Sequence, residues 1–197
     1  MNLVVVYDGD IALYTPTNLW TSTGVSPLFR QSQNPRPNKL QIRALDHAVE
    51  LLYHPLASEI PTKRLALEAI RDLFTYLPQS KSNPTDADVR QKLFLACYAS
   101  LFPFLYTGGV GLSHSIGHAL GATYSIPHGI TSCLTLAPVV ALKAKTKPEE
   151  AKMIARIVPY IGKTSEGSDE KDSLVVSQAI AGLVKELGHK TSLTEVF

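Results

Sequence analysis

From Ala44 to Gly188 the apolar residues return at three- and four-residue steps, and most breaks in that rhythm fall at prolines or glycines. A helix buries one stripe at that spacing, so the pattern commits the chain to helices packed on helices. Ala44, Leu45, Ala48, Leu51 and Leu52 share one face of a first helix that ends before Pro55. Pro61-Thr62 opens a second, marked by Leu65, Ala69, Leu73 and Leu77 and closed by Pro78. Pro84-Thr85-Asp86 starts a third, carrying Val89, Leu93, Ala96, Cys97, Leu101 and Phe104, with Pro103 kinking or ending it. A fourth begins near Gly111, holds Leu112, Ile116 and Leu120, and stops near Gly121 or shortly after. The fifth follows Pro127; it is apolar from Ile130 to Leu142 and is expected to be central and buried on most sides. Lys147-Pro148-Glu149-Glu150 opens a sixth, with acids in the first turn where the helix dipole favours them. After a polar loop from Lys163 to Lys171, Asp172-Ser173 caps a seventh that ends at Gly188. The expected fold is all-α, a bundle of about seven helices.

What precedes Ala44 breaks the rhythm. Leu3 to Tyr7 is a β-branched apolar run that stops at Asp8-Gly9-Asp10, which reads as one short buried strand and a turn. No second strand is legible, so this one is expected to be vestigial or to pair with another chain. Val25 to Gln41, 17 residues that include Pro27, Pro35 and Pro37, has no period and reads as a loop.

Composition narrows the function. Nineteen basic residues against 17 acidic ones give a net charge of +2, which leaves no surplus to neutralise a row of phosphates, so nucleic acid is excluded as a partner. No apolar run reaches the roughly 18 residues of a membrane span, and Met1 to Val6 lacks the basic flank of a signal peptide. The expected location is the cytoplasm, with no membrane partner. Cys97 and Cys133 lie in apolar helical patterns and are read as buried thiols.

Histidine is concentrated where glycine is. Gly111-Leu-Ser-His114-Ser-Ile-Gly-His118-Ala-Leu-Gly121 is followed closely by Pro127-His128-Gly129. His114 and His118, four residues apart on a helix, share a face and can share a metal or one substrate group. His128 falls in the first turn of the next helix, where it can point back at that pair, and Gly129 lets backbone approach closely. His47 is a fourth candidate; its helix carries Arg43 four residues earlier on the same face, and Asp46 and Glu50 on adjoining faces. A lone histidine on an apolar face is ordinarily a hydrogen-bonded core residue, but four of the six histidines gathered at glycine-rich helix starts outweigh that reading. His54 and His189 sit beside turn signals and read as surface residues; Tyr53, Tyr98, Tyr106 and Tyr124 read as structural.

Arg43-Ala-Leu-Asp-His-Ala-Val-Glu50, Gly108-Gly-Val-Gly-Leu-Ser-His-Ser-Ile-Gly-His-Ala-Leu-Gly121 and Pro127-His-Gly129, occurring in that order, resemble the helical C-terminal domain of the iron-containing alcohol dehydrogenases, the group that includes the maleylacetate reductases. The resemblance implies a dehydroquinate synthase-like helical domain, carbonyl reduction by hydride from NAD(P)H, and a divalent metal, iron or zinc, held by an aspartate and three histidines. Carry-over by motif places the histidine ligands at His47, His114 and His128, and His118 near the nicotinamide and substrate.

Three departures accompany it. The family's aspartate ligand, four residues before the first histidine, is Arg43 here, a permanent cation, so metal is expected to be weak or absent. The maleylacetate reductase branch does without the metal, and Arg43 suits a substrate carboxylate or a polarised carbonyl there. No glycine-rich phosphate loop follows Leu3 to Tyr7, which resembles only the last strand of the family's nucleotide-binding domain, and the C-terminus resembles one that stops early. Residues 1–24 therefore read as the remnant of that domain and 42–197 as the substrate and metal domain. Val25 to Gln41 interrupts the motif: without it Ser22-Thr-Gly24 would join Ile42-Arg-Ala-Leu-Asp-His47 directly. A valine codon begins GT and a glutamine codon can end AG, so the 17 residues read as a retained intron, which transcript reads that always include them would refute.

The resulting expectation is an oxidoreductase of this family, acting on a small carbonyl or carboxylate substrate with Arg43 and His118 as its working residues. Its expected partner is a second copy of the chain or a separate nucleotide-binding chain. Two alternatives stand beside it: a cofactor-free lyase, isomerase or cyclase that uses the imidazoles as acid and base, and a non-catalytic remnant.

Overall fold

The computed structural model describes residues 8–14, 41–101, 103, 111–126, 128–189 and 192–195. The readings of Leu3–Tyr7 as a strand, of 25–40 as an insert, and of Phe104, Tyr106, Gly108 and Gly109 lie outside those residues. Seven helices of eight residues or more account for most of what is described: α1 (Gln41–Tyr53), α2 (Arg64–Ser82), α3 (Ala87–Leu101), α4 (Leu112–Tyr124), α5 (His128–Thr146), α6 (Pro148–Ala155) and α7 (Asp169–Glu186). The all-α expectation holds, and no helix among the described residues is long and apolar enough to cross a membrane.

α1 is the axis of the molecule and packs against α2, α3, α4, α5 and α6. Leu45, Ala48, Val49, Leu51 and Leu52 are fully buried along it. They meet Leu67, Ile70, Leu73 and Leu77 of α2, Leu93 of α3, Leu136 and Val140 of α5, and Val176 and Ile180 of α7 in one apolar core. As its run from Ile130 to Leu142 predicts, α5 is buried along much of its length, from Thr131 to Ala137 and again at Val139 and Val140.

Three boundaries differ from the sequence reading. Pro78 does not close α2, which continues to Ser82. Proline removes a single N–H and bends a helix, but Leu77 just before it and Ser80 on the turn after it are buried, and that tertiary contact carries the helix past it. Asp172 and Ser173 do not cap α7; its N-cap is Ser168, whose hydroxyl accepts from the Lys171 N–H at 3.3 Å. The two residues with cap chemistry are spent on neighbours instead. Asp172 accepts from Ser165 Oγ at 2.7 Å and from the Glu166 N–H at 2.6 Å, while Ser173 Oγ donates to the Ala151 carbonyl at 2.8 Å. Asp8-Gly9-Asp10, read as a turn, enters a helical turn at Gly9–Ala12 in which the Asp8 carboxylate accepts from the Asp10 N–H at 2.9 Å.

The larger correction concerns α4. Leu112 and Ile116 are 39% and 38% exposed, and the buried residues of this helix are Ser113, His114 and Gly117. α4 adds nothing to the apolar core. A Cβ on Gly117 would lie 3.0 Å from Thr131 Oγ1, so glycine lets the α4 backbone settle closely onto α5. The helix is therefore rotated by polar partners, with its leucine side turned outward.

Candidate functional site

α1 carries Arg43, Asp46, His47 and Glu50 at positions i, i+3, i+4 and i+7, which is a single face and not the adjoining faces read from the sequence. That face is buried: Asp46 is 0% exposed, Glu50 1% and His47 8%, and Arg43 is half-buried. Charged groups so placed need hydrogen-bonding partners, and α4 and α5 bring them.

Glu50 receives the N-terminus of α4. Its Oε2 accepts from the Gly111 N–H at 2.6 Å and its Oε1 from the Ser113 N–H at 2.8 Å, two of the donors that a helix start leaves unpaired. The same Oε2 lies 2.9 Å from His114 Nδ1. Gly111 makes room for this carboxylate, since a Cβ there would stand 2.5 Å from Glu50 Cδ.

Asp46 anchors the other end of the network. Its Oδ2 is 3.5 Å from His114 Nδ1 and accepts from Ser113 Oγ at 2.9 Å. Ser113 Oγ is also 2.9 Å from Thr135 Oγ1, which donates to the Thr131 carbonyl at 2.9 Å. This row has three contacts and only two hydroxyl protons, so all three become hydrogen bonds when the Asp46 carboxyl carries a proton. Its acidity agrees: burial pushes Asp46 up to about 7, with Glu50 adding to the rise and His114, Ser132 and Ser113 opposing it.

His114 is 2% exposed, and its ring stacks on that of His47 with centroids 4.6 Å apart and planes at 14°. Burial works against its protonation, but the hydrogen bond to Glu50 and the charges of Asp46 and Glu50 outweigh burial and the opposing Arg43, so its pKa lies above the ordinary histidine value. Burial lowers the pKa of Arg43, against the pull of Asp46. Tyr53 closes the α1 stripe; burial, followed by the charges of Glu50, Asp46 and Glu150, holds its hydroxyl well above the usual phenol range. The Lys143 ammonium lies over the Tyr53 ring at 4.4 Å and pairs with Glu150.

Among the residues singled out from sequence, the structure brings His47 and His114 into ring contact and sets Arg43 within electrostatic reach of His114. His118 lies one turn further along α4 and is exposed. His128 is the first residue of α5, and its side chain lies outside the described part of the structure. His54 and His189, read as surface residues, are half-buried. Asp46, Glu50, Ser113 and Thr135 are site residues that the sequence reading misses. Two carboxylates in an otherwise apolar helix, three and seven residues after Arg43, are the signal that could have found the first two.

Ligand atoms of Asp46, Glu50 and His114 all lie within 4.8 Å of one another, close enough for a metal ion. The donors are already committed: both Glu50 oxygens accept from backbone N–H groups, and the imidazole faces Glu50 through Nδ1. A cation among these three would displace that set of hydrogen bonds.

Residues 41–196 match the family described as the Fe-containing alcohol dehydrogenase family, C-terminal. The maleylacetate reductase of Sphingobium indicum is 31% identical over 157 residues, covering 78% of this chain and 38% of that protein. The NADPH-dependent butanol dehydrogenase of Clostridium saccharobutylicum is 30% identical over 191 residues, 96% of this chain and 42% of that one. Among solved structures, the maleylacetate reductase from Rhizobium sp. superposes with a TM-score of 0.71 at 22% identity, over 98% of this chain and 45% of that chain. The chain thus spans about two-fifths of the length of the curated relatives it matches. By its sequence and its helical architecture, this chain belongs to the iron-containing alcohol dehydrogenase family, of which it carries the C-terminal helical region.

Proposed function

We propose that the chain forms the substrate side of an oxidoreductase that reduces the carbonyl of a small carboxylate-bearing compound, in the manner of the maleylacetate reductases among its relatives. The observation that carries this reading is Arg43. A guanidinium stands half-buried one turn before His47, and its charge reaches Asp46 and His114. A half-buried cation beside an imidazole pair binds a substrate carboxylate and orients it by charge-assisted hydrogen bonds.

The same cation speaks against a divalent metal. A metal at His47, His114 and His128 would have neutral imidazole donors and a guanidinium close by, while the nearby carboxylates of Asp46 and Glu50 are engaged with α4. On this reading the site works without a metal. Arg43 places the carboxylate, His114 in its protonated form, stacked on His47, donates from Nε2 to the carbonyl oxygen and polarises it, and exposed His118 delivers the proton to that oxygen.

Reduced nicotinamide is the electron source this reaction class requires. The described residues offer its phosphates no cradle, because the N–H groups at the start of α4 are given to Glu50. The curated relatives are more than twice the length of this chain, and the nucleotide belongs, on this reading, to the part of such a protein that this chain does not cover. We place the protein in the cytoplasm; Cys97 and Cys133 are buried as thiols, which suits a reducing compartment.

Thermal denaturation with separate additions of maleylacetate, NADH, NADPH, zinc and ferrous iron tests the reading, because a ligand of the native state raises its melting temperature. Maleylacetate should stabilise the chain, and Arg43→Met should weaken that binding roughly 10- to 100-fold, the worth of a charged hydrogen bond. A metal-induced rise that disappears in His114→Ala would overturn the metal-free site. Conversion of the substrate with no nucleotide present would replace this reading with that of an acid–base lyase or isomerase.

A further inference from the structure

We propose that Glu50 is the positioning residue of this site: from the N-terminus of α4 it holds His114 as the tautomer protonated on Nδ1, so that the lone pair lies on Nε2. The inference rests on the reading of His114 as a substrate-facing imidazole. Three donors converge on this single carboxylate, which is 1% exposed: the Gly111 N–H, the Ser113 N–H and His114 Nδ1. Backbone N–H groups can only donate, and the positive end of a helix favours an anion, so Glu50 accepts at every contact. The proton in the Glu50–His114 contact therefore belongs to Nδ1.

The backbone is shaped for this arrangement. Gly111 leaves the space that the carboxylate fills, and any larger residue would put a Cβ 2.5 Å from Glu50 Cδ. Ser113 ties the same turn to Asp46 and Thr135, which keeps the turn from rotating away from Glu50. Stacking on His47 holds the plane of the ring while Glu50 holds its in-plane rotation. A histidine fixed in this way presents one defined nitrogen to the substrate, Nε2, which accepts a proton when the ring is neutral and donates to a carbonyl oxygen once the ring is protonated; a loosely held ring would present either nitrogen.

Two substitutions approach the carboxylate from opposite sides. Glu50→Gln keeps the volume but places an amide N–H₂ against a donor, and Gly111→Ala leaves Glu50 intact and displaces it sterically. Ring ¹⁵N shifts of His114, measured at a pH where the imidazole is neutral, report the tautomer directly. Wild type should show a protonated Nδ1 and an unprotonated Nε2, and both variants should shift toward the reverse tautomer or a mixture. In carbonyl reduction by the full assembly, both should lower kcat by roughly 10- to 100-fold, the usual cost of losing an orienting partner, with KM little changed. Glu50→Asp should recover part of the wild-type signature. Folded variants that keep the wild-type ¹⁵N pattern would overturn the inference, and if Glu50→Gln fails to fold, Gly111→Ala decides it alone. The tautomer readout needs no turnover, so failure of the proposed reaction and failure of the Glu50 role give different results.

Discussion

Asp46 lies where water does not reach, and its carboxyl has moved from the ordinary 3.8 up to about 7, driven first by burial. A folded-state pKa raised above the unfolded one means that between those values the folded chain holds a proton that the unfolded chain has released. Stability therefore falls as pH rises through that window. His114 acts in the same direction. Its pKa is raised, so the stability it contributes is full below the ordinary histidine pKa and is lost as pH climbs through the folded value. The melting temperature should be higher near about pH 5 than near about pH 8, a tenfold change in a group's proton affinity on folding being worth about 1.4 kcal/mol. Asp46→Asn, which cannot ionise, should flatten the acid part of that slope; an unchanged slope in thermal melts would show that Asp46 is not the group responsible. Asp46, His47 and Glu50 are all plain in the sequence as polar residues in an apolar helix, and so is the pairing of Arg43 with His47. The partners of the carboxylates are not legible there, because Ser113 and Thr135 lie 67 and 89 positions beyond Asp46 and no local pattern links them.

At the level of elements, the spacing of apolar residues locates all seven helices, because burial of one stripe is a local property repeated along each helix. What it does not give is the buried face of α4. Its leucine side faces outward and its serine–histidine–glycine side faces in, since two buried carboxylates on α1 need donors more than Leu112 and Ile116 need cover. The start of α7 departs from the sequence reading for a related reason. Asp172 and Ser173 have the chemistry of caps, but the loop just before the helix takes the Asp172 oxygens and the Ala151 carbonyl on α6 takes the Ser173 hydroxyl, which leaves Ser168 to cap the helix. Ser168→Ala should lower stability by about 1 kcal/mol in chemical denaturation, the usual worth of an N-cap. A change within error would mean that this hydroxyl contributes nothing net to the helix.

Across the whole molecule, one core runs from α1 through α2, α3, α5 and α7, and the N-terminal turn docks on its edge. A Cβ on Gly9 would stand 2.3 Å from the Ala87 carbonyl oxygen, so the turn can rest against the start of α3 only as glycine. Gly9→Ala should push the turn away and leave the core intact. Limited proteolysis should then cut near residues 8–14 sooner, with little change in the main melting transition; equal protection in both proteins would place the docking elsewhere. The family model matches residues 41–196, which coincide with the part of the chain that builds the core and the site.

By itself, the sequence determined that this protein is helical, where its helices run, that His114, His118 and His128 gather among glycines, and that Arg43 and His47 lie one turn apart on a helix. Those are consequences of periodicity and backbone freedom, which act over a few residues at a time. Tertiary structure alone decided which face of α4 is buried, which nitrogen of His114 Glu50 holds, and why the acids of α1 are tolerated inside the core. A buried charge is stable only when donors from distant segments close around it, and that condition is met in space and not along the chain.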